Sequence, residues 1–358
     1  MMRRPLAWAG LSLILAGMAE PLRWGILGTG NIAAQFCGGL ETARRTRVVA
    51  VASRSMDSAR LFAERFQVTS AYGSYADLLT DRGVDVVYVS LPNSMHHEWT
   101  LRALQSGKHV LCEKPFAMNA AQAQEMFDEA QRAGKLVLEA FMYLSHPQTI
   151  AAFDAVQSGE VGELRLVRTS FCYRTRRIDG NIRFRPELGG GAMMDVGCYC
   201  TNLACNLANE DPIEIHASAK VHSTGVDEIT TGTLKFPSGL LASFTCGMTV
   251  QADNTAYLCG TEGYVEIPVP WKPPARGAKH TIARSTPPKQ DLAKATAPAP
   301  PPPRDERTAD AGQELYALEA DDFAAAVQDG NPPRVSRELT LRNMRVLDEV
   351  RRQIGLAF

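Results

Sequence analysis

Four short stretches of this chain put reactive or ligand-holding residue types at informative spacings. Gly28-Thr29-Gly30-Asn31-Ile32-Ala33 is a G-x-G-x-x-A turn set between an apolar run and a helical period. In such a turn the first glycine permits the tight bend and the second lets backbone approach a pyrophosphate. The small third residue lets helix pack on strand, and the diphosphate meets free N–H groups at the helix N-terminus. Ser53-Arg54-Ser55 closes the next apolar run with no carboxylate to hold ribose hydroxyls. Arg54 offers a planar fork of donors for a 2′-phosphate, with the Ser53 hydroxyl beside it. The predicted carrier is therefore NADP, and an Arg54 that only stacks on adenine would leave NAD as the alternative.

Glu113-Lys114-Pro115 ends a later apolar run, at the carboxyl edge of a sheet where ligands bind. Proline confines Lys114 to extended geometry, which fixes the direction of the ammonium. Gly189-Gly190-Gly191-Ala192-Met193-Met194-Asp195-Val196-Gly197-Cys198-Tyr199 combines glycines that admit a ligand close to the backbone with a following helix. Asp195 and Tyr199, four apart, are expected on one helical face. A carboxylate and a phenol so placed can bind hydroxyls and pass a proton. Taken singly, each of these residues has an ordinary structural use, so the case rests on their convergence.

The elements that must position them follow from hydrophobic period. Apolar runs at Leu22–Leu27, Arg47–Ala52, Val84–Leu91, His109–Cys112 and Leu136–Ala140 alternate with helical periods, including Asp57–Phe66 with Asp57 as N-cap, His97–Ser106 and Asn119–Ala133. Such alternation predicts a doubly wound parallel sheet covered on both faces. Beyond His146 the texture changes to long strands of period two, Glu163–Tyr173, Ile213–Val221, Glu228–Phe236, Leu240–Val250 and Thr255–Cys259, with Pro237-Ser238-Gly239 as a hairpin turn. This predicts a mostly antiparallel open sheet, so the second domain is α+β. Residues 19–143 are expected to form the first domain and 144–358 the second. Residues 268–307, rich in proline and charge, read as a surface insertion too polar to offset its ordering entropy. Two helical periods, one with Tyr316, Leu318 and Phe323 on a single face, finish the chain.

Hydrophobic residues make up 45% of the 358 and the formal net charge is -1, which argues against nucleic acid or a membrane surface as partner. The 8 cysteines form no C-x-x-C pair, and the Cys198, Cys200, Cys205 cluster lacks zinc spacing and nearby histidines, so reduced structural thiols and no metal are expected. Residues 1–18 form an N-terminal extension, short and basic and then apolar. A start placed upstream of Met18 and a secretory signal both fit it; the first implies a cytoplasmic protein, the second a periplasmic or secreted one.

Together the turn at Gly28–Ala33, Leu91-Pro92-Asn93-Ser94-Met95-His96, Glu113-Lys114-Pro115, Glu139-Ala140-Phe141-Met142-Tyr143 and Gly189–Tyr199 resemble the Gfo/Idh/MocA oxidoreductase family. The resemblance runs from about Leu22 to the C-terminus, the proline-rich stretch excepted. Pro186-Glu187-Leu188, Gly225-Val226-Asp227-Glu228 and Ser243-Phe244-Thr245-Cys246 are most similar to the branch of dihydrodiol, D-xylose:NADP and glucose–fructose oxidoreductases. That branch has tyrosine where many relatives have a histidine in place of Tyr199.

The resemblance implies a Rossmann domain followed by an open-sheet domain, with Gly28, Thr29, Gly30, Asn31, Ile32, Ser53, Arg54, Leu91, Pro92, Asn93, His96, Glu113 and Lys114 around the dinucleotide. It implies Tyr199 as the acid/base, with Lys114 holding it and the substrate oxygen in register and lowering the phenol pKa. Asp195 and His96 would position cofactor and substrate hydroxyls. The implied reaction is hydride transfer between NADP and a CH–OH or C=O carbon of a sugar or vicinal diol. Two alternatives stay open, a hydride shuttle with tightly held NADP and a non-catalytic NADP-binding regulator. Leu144, where close relatives often carry arginine, clouds any inherited substrate preference. A bare apolar face on the second sheet would make the protein a homodimer or higher homo-oligomer.

Overall fold

A computed structural model describes residues 20–284 and 301–356. The chain opens with β1 (Leu22–Leu27), α1 (Asn31–Gly39), β2 (Thr46–Ala52), α2 (Met56–Phe66), β3 (Ser70–Tyr72), α3 (Tyr75–Leu79), β4 (Val86–Val89), α4 (His96–Gln105), β5 (His109–Glu113), α5 (Ala120–Ala133) and β6 (Val137–Ala140). The six strands form one parallel sheet in the order β3-β2-β1-β4-β5-β6. Strands β4 and β6 are buried at every position, as expected of strands covered on both faces. The order in which strands are added reverses between β1 and β4, and the carboxyl ends there open a ligand crevice. Gly28, Leu91 and Lys114 all leave the sheet at that edge.

Helix starts follow local capping chemistry. Asn119 caps α5 by accepting the Gln122 N–H at 2.9 Å. For α2 the cap is Ser55, which accepts the Ser58 N–H at 3.3 Å. Asp57, expected in that role, sits in the first turn instead, where its charge complements the helix dipole.

The chain continues through α6 (Pro147–Gln157), β7 (Leu164–Cys172), α7 (Cys198–Ala208), β8 (Glu214–Val221), β9 (Asp227–Lys235), β10 (Leu241–Gly247), β11 (Ala256–Gly260), β12 (Gly263–Ile267), β13 (Ala278–Arg284) and β14 (Arg304–Ala309). These eight strands form the second sheet, ordered β14-β13-β12-β11-β7-β10-β9-β8. Only β7 and β10 pair in parallel. The uncovered face is mixed: Thr231, Thr233, Ser243 and Thr245 stand there in register, the Thr231 and Thr245 hydroxyls meeting at 3.2 Å, and exposed Leu241 lies beside Leu166 on the same face.

The proline-rich reading of residues 268–307 needs correction. Strands β13 and β14 lie within or across it, with Ala278, Ile282 and Ala283 buried. Trp271 is buried too, stacked on Phe171 and donating its indole N–H to the Ser170 carbonyl at 2.8 Å. Pairing with β12 supplies partners that composition alone does not reveal. Residues 285–300, with the first prolines of the run 298–303, lie outside the described residues, as do 1–19 and any leader there.

Helix α8 (Leu315–Asp329) crosses back to the first sheet, and α9 (Arg337–Gln353) packs on α7 and α5. Phe323 meets Trp24 edge to face with centroids 5.2 Å apart, and Tyr316 meets Phe36 at 6.1 Å. Truncating a buried aromatic of this kind to alanine costs roughly 3–5 kcal/mol. Asp321 accepts the backbone N–H groups of Arg44 and Arg45. The second half of the chain thus supplies a helix to the first half's cover. All eight cysteines are free.

Candidate active site

The dinucleotide turn is built to leave space. Gly28 has φ +106°, a conformation rarely open to other residues, and an added Cβ would come within 3.1 Å of the Ser90 carbonyl. A Cβ on Gly30 would meet nothing within 4 Å, so the backbone faces open room. Gly30 is also the N-cap of α1 and provides no side-chain cap, so the first helical N–H groups are free for an anion. These residues fit the diphosphate of a nicotinamide dinucleotide. Nearby, the Thr29 and Ser53 hydroxyls lie 3.3 Å apart, and Arg54 is exposed at the end of β2.

Asn31, Ile32, Leu91, Asn93, Glu113, Lys114, Asp195 and Tyr199 all line a single cleft of about 520 Å³ between the two sheets. Sequence positions more than eighty residues apart therefore converge. Asn93 ties the halves together by donating to the Gly189 carbonyl at 2.8 Å. The glycine loop depends on Asp227, whose Oδ2 accepts the Met193 N–H at 2.8 Å and the Thr230 hydroxyl at 2.6 Å. Gly191, at φ +121°, has no room for a Cβ, which would fall 2.2 Å from Asp227 Oδ1.

At the centre, Lys114 Nζ donates to the Asp195 carbonyl at 2.6 Å and lies 3.5 Å from Asp195 Oδ1. The Lys114–Pro115 peptide is cis. Asp195 Oδ2 accepts Tyr173 OH at 2.6 Å and Arg183 Nε at 2.8 Å. Burial works against both charges, yet Asp195 holds the Lys114 pKa above its usual value, and Lys114 with Arg183 holds Asp195 below its own. The pair is an ammonium and a carboxylate at neutral pH.

Tyr199 departs from expectation. Lys114 lies over its ring, 5.2 Å from the centroid, while the phenol OH points to Met142 Sδ at 3.5 Å. Phe141, Phe171 and Trp271 crowd it. Burial, followed by the negative field of Glu113, pushes the phenol pKa well up, opposite in direction to the lowering expected from Lys114. His96 also differs: its Nδ1 lies 2.9 Å from the Pro115 carbonyl and its Nε2 2.8 Å from that of Leu91. Burial lowers the pKa of the ring, and the neutral imidazole has a single N–H to share between these two carbonyls, so the fully buried His96 sits as a brace between two cleft loops. Leu144 is buried and lines a different cavity, of about 540 Å³, with Thr149, Phe153 and Arg334.

Tyr173, Arg183 and Lys272 are among the cleft residues that escape sequence reasoning. Tyr173 and Arg183 lie in a loop whose only sequence signal is its run of arginines. Lys272 lay hidden in the proline-rich stretch; its Nζ donates to Gln35 Oε1 of α1 at 3.0 Å. In the cleft wall Glu113 accepts the Tyr88 hydroxyl, and behind it burial raises Glu139 to about 8. No group of acids, histidines and cysteines that could hold a metal occurs among the described residues, and no helix there is long and apolar enough to cross a membrane.

A parallel dinucleotide sheet and a lysine-centred cleft against an open second sheet define an oxidoreductase of two-domain build. Residues 22–141 match the model of the oxidoreductase family with NAD-binding Rossmann fold, and 149–266 match the GFO/IDH/MocA C-terminal domain. The chain belongs to the GFO/IDH/MocA oxidoreductase family. It is 36% identical to mouse trans-1,2-dihydrobenzene-1,2-diol dehydrogenase over 255 residues, 70% of this chain and 76% of the relative. An uncharacterised Rhizobium meliloti oxidoreductase, ORF334, is 33% identical over 92% of this chain and 96% of its own. Among solved structures, KijD10, a 3-ketoreductase from Actinomadura kijaniata in complex with NADP and TDP-benzene, superposes with TM-score 0.81 at 32% identity, covering 94% of this chain and 98% of its own.

Proposed function

We propose that this protein is an NADP-dependent oxidoreductase acting on a CH–OH or C=O carbon of a sugar-like or vicinal-diol substrate. The observation that carries the reading is the Lys114 ammonium, fixed on Asp195 over the Tyr199 ring, in the cleft that the Gly28–Ile32 turn also borders. The dinucleotide bound there would supply the hydride as NADPH or accept it as NADP. Gly28, Thr29, Gly30, Asn31 and Ile32 would hold its diphosphate, and Ser53 with Arg54 its 2′-phosphate; NADP in the KijD10 structure supports that choice.

In reduction, Lys114 polarises the carbonyl and stabilises negative charge developing on its oxygen. Tyr199, protonated at neutral pH because burial raises its pKa, donates the proton as carbon receives hydride, and water in the cleft restores it. Oxidation runs through the same groups in reverse. Donation requires the phenol to swing from Met142 Sδ toward Lys114. A non-catalytic regulator would have no need of that pair.

The test is a panel of aldoses, 1,2-diols and their carbonyl forms with NADPH labelled by deuterium at the transferable position. Deuterium appearing on the product carbon is the expected result; failure of every member to oxidise NADPH overturns the reading. NADP retained at near-stoichiometric levels through purification would mark the hydride-shuttle variant of the reaction. We further propose that this exposed face of the second sheet, with Leu241 and Leu166 beside its hydroxyls, pairs two copies, which sedimentation would register as a dimer.

A further inference from the structure

The cleft is richer in cations than a neutral sugar or diol requires. Three cationic side chains line it, Lys114, Arg183 and Lys272, with two carboxylates, Asp195 and Glu113. Asp195 is already engaged by Lys114 and Arg183, and Glu113 is turned to the Tyr88 hydroxyl and the Lys114 backbone. Arg183 spends only Nε on Asp195, so its two terminal Nη groups make no hydrogen bond among the described residues. Lys272 makes one hydrogen bond, to Gln35. Its pKa is lowered by burial first and by Lys114 next, with Arg183 adding to the effect, so the cationic groups share one region of the cleft.

The wall carrying Arg183 extends this imbalance outward. Residues 173–188 hold five arginines, Arg174, Arg176, Arg177, Arg183 and Arg185, against Asp179 and Glu187. Arg185 is paired with Glu187, whereas Arg174, Arg176 and Arg177 have no ion-pair partner among the described residues and are exposed. The loop is ordered by its own hydrogen bonds: Thr175 donates to the Arg177 carbonyl at 3.2 Å, Asn181 Nδ2 to the same carbonyl at 3.0 Å, and Gly191 N–H to the Arg183 carbonyl at 2.9 Å. Thr175, Asn181 and Ile182 of this loop face the cleft with Arg183. A structured wall bearing unneutralised guanidinium groups beside a reactive centre raises the local concentration of anions and binds them in forked geometry.

We propose that the substrate carries an anionic group, a phosphate or carboxylate, remote from the reacting carbon, received by Arg183 and Lys272 and attracted by Arg174, Arg176 and Arg177. This rests on the cleft being the substrate site, as proposed above. The two anion classes share one chemistry, so the experiment separates them.

Full-length protein saturated with NADP is titrated calorimetrically with glucose, glucose 6-phosphate, glucuronate and a nucleoside diphosphate glucose. At least one anionic member binds about tenfold or more tightly than glucose, and the identity of the best one assigns phosphomonoester, carboxylate or diphosphate. That preference weakens as salt rises from about 50 to about 300 mM, and collapses toward unity in Lys272→Met and in the exposed double variant Arg176→Ser/Arg177→Ser. NADPH fluorescence on binding reports that each variant is folded. Anionic members binding no better than glucose overturn the proposal. So does a Lys272→Met protein that loses NADPH affinity while keeping its anion preference, since Lys272 then serves the cofactor. Because the readout is binding, absence of turnover sinks the hydride-transfer reading alone.

Discussion

The two ends of the cleft are made of different materials. At the proposed dinucleotide end, the receptor would be free backbone N–H groups of α1 and an open glycine surface, with Arg54 exposed nearby. At the reactive end, nothing works without side chains: a buried ammonium, a buried carboxylate, a guanidinium and two phenols brought from both halves of the chain. Backbone recognition tolerates most substitutions and is written in consecutive residues. A side-chain ion pair is intolerant of change and is written in residues far apart. The contrast predicts that lesions at the reactive end abolish turnover while sparing cofactor binding, and that lesions at the other end do the reverse.

The largest effect belongs to Lys114→Met, expected to lower kcat by about 10³-fold or more while the NADPH dissociation constant, read by fluorescence titration, stays within about threefold. Equal losses in both would erase the distinction between the two ends. Tyr199→Phe should lower kcat by about 10²–10³-fold with little change in thermal midpoint, because among the described residues its hydroxyl makes one weak hydrogen bond, to Met142 Sδ. Undiminished turnover in that variant removes Tyr199 from proton transfer. Arg54→Ala should raise KM for NADP roughly tenfold or more and leave kcat and the KM for NAD alone; steady-state kinetics with both carriers decides it.

The smallest effect concerns stability behind the reactive end. Glu139 titrates at about 8 in the folded protein, chiefly through burial, against an ordinary value near 4.5 when unfolded. The folded state therefore holds its proton more tightly, so this stabilisation is complete below about pH 4.5 and lost as pH rises through about 8. Glu139→Gln, whose amide oxygen can still accept the Phe116 N–H, should flatten the fall in denaturation midpoint between pH 6 and pH 9, by on the order of 1–3 kcal/mol. An unaltered profile would show that Glu139 is already ionised in the folded protein.

Much of this was readable beforehand wherever the physics is local. Continuous apolar runs gave β1, β4 and β5, and the G-x-G-x-x-A turn falls at the β1–α1 junction. The sequence marks Lys114, Asp195 and Tyr199 singly, and the structure brings them together. What stayed hidden depends on partners distant in sequence. The two backbone carbonyls beside the His96 ring come from loops far apart in sequence and show only in the structure. The Tyr199 pKa follows from the burial that three aromatics from other elements impose. Trp271 and Lys272 were masked by surrounding prolines, since composition averages over a window and these two residues act singly.

Helix α8 bears on how this protein can be dissected. Phe323 and Tyr316 cover Trp24 and Phe36, and Asp321 closes over the Arg44 and Arg45 backbone. A gene fragment ending ahead of Leu315 would leave the nucleotide half with an exposed greasy flank. Carrier-binding modules excised for grafting onto other enzymes must therefore bring this distal stretch with them, spliced on by a linker.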